Sequence, residues 1–188
     1  MTRTLNDTRI AILATHGFER SELEVPLDML RERGAHVDII APEAGTIRGW
    51  KDGDWSGSFD VNKTIEEAEP GDYHALVLPG GVMNPDALRV RQDATGFIRA
   101  FFKDGKPVSA ICHGPQILID CGVLEGRTVT SYPSIKMDLK NAGARWVDAE
   151  VVTDAGLTTS RTPDDLDAFM KKTIEEILEG THRLQATA

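Results

Sequence analysis

Apolar strand-like runs and amphipathic helical stretches alternate along almost the entire chain, and few folds accommodate that pattern. Arg9 to Thr15 reads as a strand and Arg20 to Arg33 as an amphipathic helix, with Leu23, Leu27 and Leu30 on one side and Gly34 ending it. His36 to Ala41 is the next strand, and Gly45 to Gly57 reads as a short hairpin or excursion around Lys51-Asp52-Gly53. A buried strand then runs from Ala75 to Pro79 and ends in Gly80-Gly81. One helix spans Asp86 to Phe102, and the strand Pro107 to Ile111 follows. Further on come a short strand at Thr128 to Ser131, a helix at Ser134 to Asn141, and a hairpin around Asp154-Ala155-Gly156. A last helix opens at Thr162-Pro163-Asp164-Asp165 and runs to about Leu178. Strands separated by helices of this length predict an α/β three-layer sandwich, with a mostly parallel sheet and helices on both faces. Residues 1–188 read as a single domain with its core at about 9–178 and loosely held termini.

In such a sheet the chemistry collects at the carboxyl ends of the strands. Three ends qualify: residues 14–19, Pro79-Gly80-Gly81 and Cys112-His113-Gly114. At the third, an apolar strand meets a helix with a proline in its first turn, which sets Cys112 on a strand-to-helix elbow near the positive end of a helix dipole. That position lowers a thiol pKa from ~8.5 toward ~4–7. Gly114 relieves crowding in the turn, as glycines do beside an elbow nucleophile. The plain alternative for Cys112 is a small buried residue.

His113 is the histidine available to this thiol, since the only downstream alternative is His182 near the chain end; the alternative role is a backbone-bonded imidazole beside the site. Gly80 and Gly81 form either a turn or, with the His113 N–H, a pair of backbone donors to a developing oxyanion. Glu19 lies just past the first strand, either as an acid in a helical first turn or as a carboxyl that hydrogen-bonds the thiolate and carries its proton. Asp86, after Asn84-Pro85, reads first as a helix N-terminal residue.

Composition narrows the partners. Thirty acidic against 21 basic residues give a formal charge of −9, with no basic stripe for nucleic acid or an anionic membrane. No apolar run approaches a membrane span, and Met1 to Asp7 lacks the apolar core of a signal peptide, so a cytoplasmic location is expected. If Cys112 opens a helix, Cys121 lies roughly 13 Å along it, too far for a disulfide, which needs Cα atoms within about 7 Å. A metal held by His16, Glu19 and Cys112 is not expected, and no cofactor is; a flavin in particular lacks a phosphate-binding loop.

Together, Leu78-Pro79-Gly80-Gly81, Ala110-Ile111-Cys112-His113-Gly114-Pro115-Gln116, Asn141-Ala142-Gly143-Ala144 and Thr159 to Leu166 resemble the PfpI family. This is the intracellular cysteine-protease-like branch of the superfamily that includes the parkinsonism-associated deglycase. Gly17 to Glu22 resembles that family's acidic region, and the likeness runs from about Arg9 to Leu178. The resemblance implies a flavodoxin-like sandwich, Cys112 as nucleophile and Glu19 hydrogen-bonded to it. It also implies a homodimer or higher homo-oligomer in which a neighbouring subunit supplies the acid for His113, a position best matched by Asp86. The loop Val82-Met83-Asn84-Pro85 is one residue longer than in relatives of this type, and the acid is Asp rather than Glu. The expected activity is stress-related hydrolysis at a carbonyl, in a peptide or in a dicarbonyl adduct on an amine. The rival is a redox sensor or holdase in which Cys112 is oxidised and turnover is incidental.

Overall fold

The computed structural model describes residues 4–183 and Gln185. In chain order the strands and helices begin with β1 (Arg9–Leu13), β2 (Phe18–Glu19), α1 (Arg20–Glu32), β3 (His36–Ala41), β4 (Thr46–Lys51), β5 (Asp54–Asp60) and β6 (Lys63–Thr64). Next come β7 (Ala75–Leu78), α2 (Met83–Arg89), α3 (Gln92–Lys103), β8 (Val108–Ile111) and α4 (Gln116–Cys121). The remainder is β9 (Thr128–Val129), α5 (Lys136–Asn141), β10 (Arg145–Trp146), β11 (Val151–Asp154), β12 (Leu157–Ser160) and α6 (Leu166–Glu179).

Seven strands form the central sheet in the order β11-β12-β8-β7-β1-β3-β6. Every pairing in it is parallel except β11 with β12. Strands buried on both faces read as continuous apolar runs, as Ala75-Leu76-Val77-Leu78 does. One face packs under Phe97, Ile98, Phe101 and Ile117, the other under Leu23, Leu30, Phe169 and Met170. Each such side chain contributes about 1.5–3 kcal/mol on burial. Helices thus cover both faces of a mostly parallel sheet, in a flavodoxin-like α/β sandwich. From β1 the chain builds outward through β3 to β6, then returns to β7 and builds the other way. The reversal lies between β1 and β7, the place where such sheets open a crevice at their carboxyl ends.

Four boundaries differ from the sequence reading. The single helix expected from Asp86 to Phe102 is two, because Arg91 is extended and caps α3. Residues Met83 to Pro85, read as loop, are the first turn of α2, where the missing N–H of Pro85 would have had no intrahelical partner. The hairpin is longer than Gly45 to Gly57 and pairs with β2 rather than standing alone. Thr128 and Val129 leave the main sheet to pair with β10. Past Gly180, the described tail residues are held rather than loose: the His182 N–H donates to Gly105 O (2.7 Å), and Gln185 is buried against Arg127.

Candidate active site

Cys112 follows β8 with φ at 61°, in the left-handed region that a side chain enters at a cost of about 1–3 kcal/mol. Flanking hydrogen bonds hold it there. Its N–H donates to Ser160 O (3.0 Å) at the end of β12, and its carbonyl accepts from the Tyr132 N–H (2.9 Å). The Gly114 N–H closes the turn onto Ile111 O (2.8 Å). A Cβ at Gly114 would lie 2.6 Å from Leu78 O, so only glycine fits against β7. The result is a sharp elbow with a thiol at its apex, and the residue is 6% exposed.

The elbow folds His113 back over the sulfur. Nδ1 lies 3.2 Å from Cys112 Sγ and Nε2 lies 3.0 Å from Ser134 Oγ, while the ring stacks on Tyr132 at 4.6 Å. Burial lowers the imidazole pKa, which favours the neutral ring. An Nε2–H donated to Ser134 leaves the Nδ1 lone pair facing the thiol. Ser134 and Tyr132 were not singled out from sequence. They come from a segment twenty residues downstream that the Cys112–Tyr132 backbone bond draws in, and no local motif announces them.

The carboxyl beside the thiol is Glu22, not Glu19. Because α1 starts at Arg20, Glu22 turns inward with Leu23, Pro26 and Leu30, whereas Glu19 remains extended as the N-cap and accepts from Ser21 Oγ (3.2 Å). Glu22 is fully buried and its Oε2 accepts from the Gly80 N–H (2.8 Å). Gly80 is the point where everything converges: a Cβ there would lie 2.6 Å from Glu22 Oε2 and 2.7 Å from Cys112 Cβ. Glu22 Oε1 has no hydrogen-bond partner among the described residues. One signal for Glu22 was available in the sequence, an acid on the same helical stripe as Pro26 and Leu30.

Burial pushes the Glu22 carboxyl up to about 8, with the nearby Glu19 charge adding to the rise and the Gly80 and Gly81 N–H groups opposing it. Burial likewise pushes the Cys112 thiol up, followed by the Glu22 charge, against the Gly81 and His113 N–H groups that favour the anion. The depressed thiol expected from the helix dipole is therefore corrected. The helix that follows is only six residues long, and desolvation outweighs it. Thiol and carboxyl act as one buried pair: a proton that leaves sulfur onto Glu22 turns a repelling carboxylate into a neutral hydrogen-bond donor.

Gly81, at φ 74°, completes the turn whose N–H faces the sulfur. Asp86 is exposed in the first turn of α2. The Nδ1 of His16 accepts from the Arg48 N–H (3.1 Å) and so ties the β4 hairpin down. Among the described residues, Glu176, Glu179 and His182 do converge at metal-ligand spacing, but beside Gly105, at the opposite end of β8 from Cys112.

A thiol on a left-handed elbow one strand from the switch point of a mostly parallel sheet, backed by a buried carboxyl and an adjacent imidazole, defines an elbow-cysteine site on a flavodoxin-like sandwich. The chain belongs to the DJ-1/PfpI family, whose model matches residues 8–176. It is 46% identical over 167 residues to the deglycase PH1704 of Pyrococcus horikoshii, covering 89% of this chain and 98% of that one. The protein/nucleic acid deglycase 2 of Escherichia coli is 46% identical over 168 residues, covering 88% and 95%. Among solved structures, a two-domain protein of Anabaena variabilis with DJ-1/ThiJ/PfpI-like and ferritin-like domains superposes with a TM-score of 0.86 at 33% identity. That match covers 90% of this chain and 48% of the other.

Proposed function

We propose that the protein is a PfpI-type cysteine hydrolase that acts on small dicarbonyl adducts of amines. The observation that carries this reading is the convergence of the Cys112 thiol, the buried Glu22 carboxyl and His113 Nδ1 on one elbow. Near neutrality the Glu22 carboxyl is protonated and passes its proton to the hemiaminal nitrogen of the adduct; the C–N bond breaks, the amine leaves, and the hemiaminal hydroxyl becomes a carbonyl and returns a proton to Glu22. The thiol proton passes to His113 Nδ1 and sulfur attacks that carbonyl carbon, forming a C–S bond as the electron pair moves onto oxygen beside the N–H groups of Gly81 and His113, where the oxygen takes up the proton. A proton shift from that carbon to the neighbouring carbonyl carbon turns the hemithioacetal into a thioester, whose C–S bond water cleaves to release a hydroxy acid and restore the thiol. A thiol only 6% exposed suits a small adduct better than a polypeptide, which needs an open groove. The deglycase names of the relatives support the same choice.

Residues 1–188 are read as one such domain, working as a homo-oligomer with Asp86 supplied to His113 by a neighbouring copy. Supporting this, Val82, Met83 and Val90 expose apolar surface around α2, the helix that carries Asp86. A cytoplasmic location fits two free thiols, and among the described residues no helix is long and apolar enough to cross a membrane. The test is release of free amine from methylglyoxal-treated amino acids, run beside cleavage of unmodified peptides. Amine release that disappears in Cys112→Ala is the expected result; peptide cleavage alone, or activity that survives Cys112→Ala, overturns the proposal.

A further inference from the structure

Asn84 is fully buried in the first turn of α2, just past the Gly80–Gly81 turn, and its amide makes three hydrogen bonds. Oδ1 accepts from the Thr15 N–H (2.7 Å), just past β1. Nδ2 donates to Pro79 O (2.9 Å) and to Gly80 O (3.2 Å), just past β7. One side chain thus ties together the two strand ends that flank the topological switch point. It needs an acceptor on one side and two N–H donors on the other, which an asparagine amide supplies and a carboxylate does not. The turn it grips presents the Gly80 N–H to Glu22 Oε2 at 2.8 Å. Its tolerance is small, because Gly80 has no room even for a methyl group between Glu22 and Cys112.

We propose that Asn84 is the positioning residue of the site: it fixes the Gly80–Gly81 turn so that its backbone N–H groups meet the Glu22 carboxyl and the Cys112 sulfur. The proposal rests on the reading of Cys112 as the reactive thiol. The titratable groups that face the thiol–carboxyl pair are Glu22 itself on α1, Glu19 at the end of β2 and His113 on the elbow. Asn84 carries no charge, so replacing it by a neutral residue acts on the pair only through the turn. If the turn retreats, the pair loses N–H donors that favour its anionic state, and its first proton leaves at higher pH.

The experiment is the rate of Cys112 alkylation by iodoacetamide against pH, followed by peptide mass spectrometry in wild type, Asn84→Ala and Asn84→Ser. Asn62→Ala is the control, because Asn62 accepts from the Ile39 N–H (2.7 Å) at the far edge of the sheet and touches nothing in the site. The expected result is a midpoint raised by about one pH unit in Asn84→Ala, equivalent to about a tenfold smaller thiolate fraction near neutrality. Asn84→Ser, which keeps one hydroxyl donor and serves if the alanine variant does not fold, shifts less in the same direction. Asn62→Ala lowers Tm without moving the midpoint. If Asn84 variants lose Tm while the midpoint stays at the wild-type value, Asn84 is only structural. A wild-type Cys112 that is inert across the range, or no faster than Cys121, overturns the reading of the thiol and this proposal with it.

Discussion

At the scale of single residues, the decisive pair is Glu22 with Cys112, and it has a thermodynamic signature separate from any activity. An ordinary glutamate gives up its proton near 4.5, whereas the buried one holds it to about 8. Between those values the folded state binds a proton that the unfolded chain has lost, so stability falls as pH rises, by about 1.4 kcal/mol per unit from this group. Below the window both states are protonated and the penalty is absent. Glu22→Gln keeps the shape and an acceptor for the Gly80 N–H but does not titrate. Its Tm is therefore expected to stand above the wild type by a margin that grows from about pH 5 to about pH 8 and then levels off. A constant margin, or one that grows toward acid, would show that Glu22 is ionised in the folded protein. The sequence made Cys112 and His113 conspicuous because a strand, a glycine and a proline bracket them. Glu22 was hidden by a three-residue ambiguity: both Glu19 and Glu22 follow β1, and only the true start of α1 decides which of them turns inward.

Elements explain why these residues meet. Cys112, Gly80 and Glu22 follow β8, β7 and β1, three neighbouring strands of one parallel sheet. Their carboxyl ends lie side by side whatever the loops between them do. This much was legible in the chain, because buried parallel strands are apolar runs and the helices between them carry a 3.6-residue period. The errors fell where local signals compete. Pro85 looked like a helix boundary, yet in the first turn it removes no needed hydrogen bond, so α2 begins at Met83, three residues before the expected Asp86, and carries Asn84 into the site. The break at Arg91 left no glycine or proline as a mark; it rests on the extended Arg91 and on the Asp93 carboxylate, which pairs with Arg91 and accepts from the Ala94 N–H. The partners of His113 were illegible for a different reason. Tyr132 and Ser134 reach it through a tertiary backbone bond, which no periodicity encodes.

For the molecule as a whole, the surroundings of His113 decide whether the site is shared between subunits. Ser134 occupies Nε2 within one chain, while Asp86 faces outward beside apolar Val82, Met83 and Val90. Were Asp86 supplied across a two-fold interface, Cys112→Ala and Asp86→Ala proteins, each inactive alone, would complement on subunit exchange. Random pairing makes half the dimers hybrids, each with one intact site of two, so about a quarter of wild-type activity is expected. Exchange without recovery places Asp86 in its own chain, and a fully active Asp86→Ala makes it a helix-terminal residue only. The central claim, that Glu22 is the carboxyl serving the Cys112 nucleophile, has a more direct test. Turnover of methylglyoxal-treated amino acids at neutral pH is measured for Glu22→Gln and Glu19→Gln side by side. The account predicts a loss on the order of 10²-fold for Glu22→Gln, the usual cost of removing a proton-transfer group, with Glu19→Gln within about twofold of wild type. The reverse, a crippled Glu19→Gln beside a fully active Glu22→Gln, would contradict it.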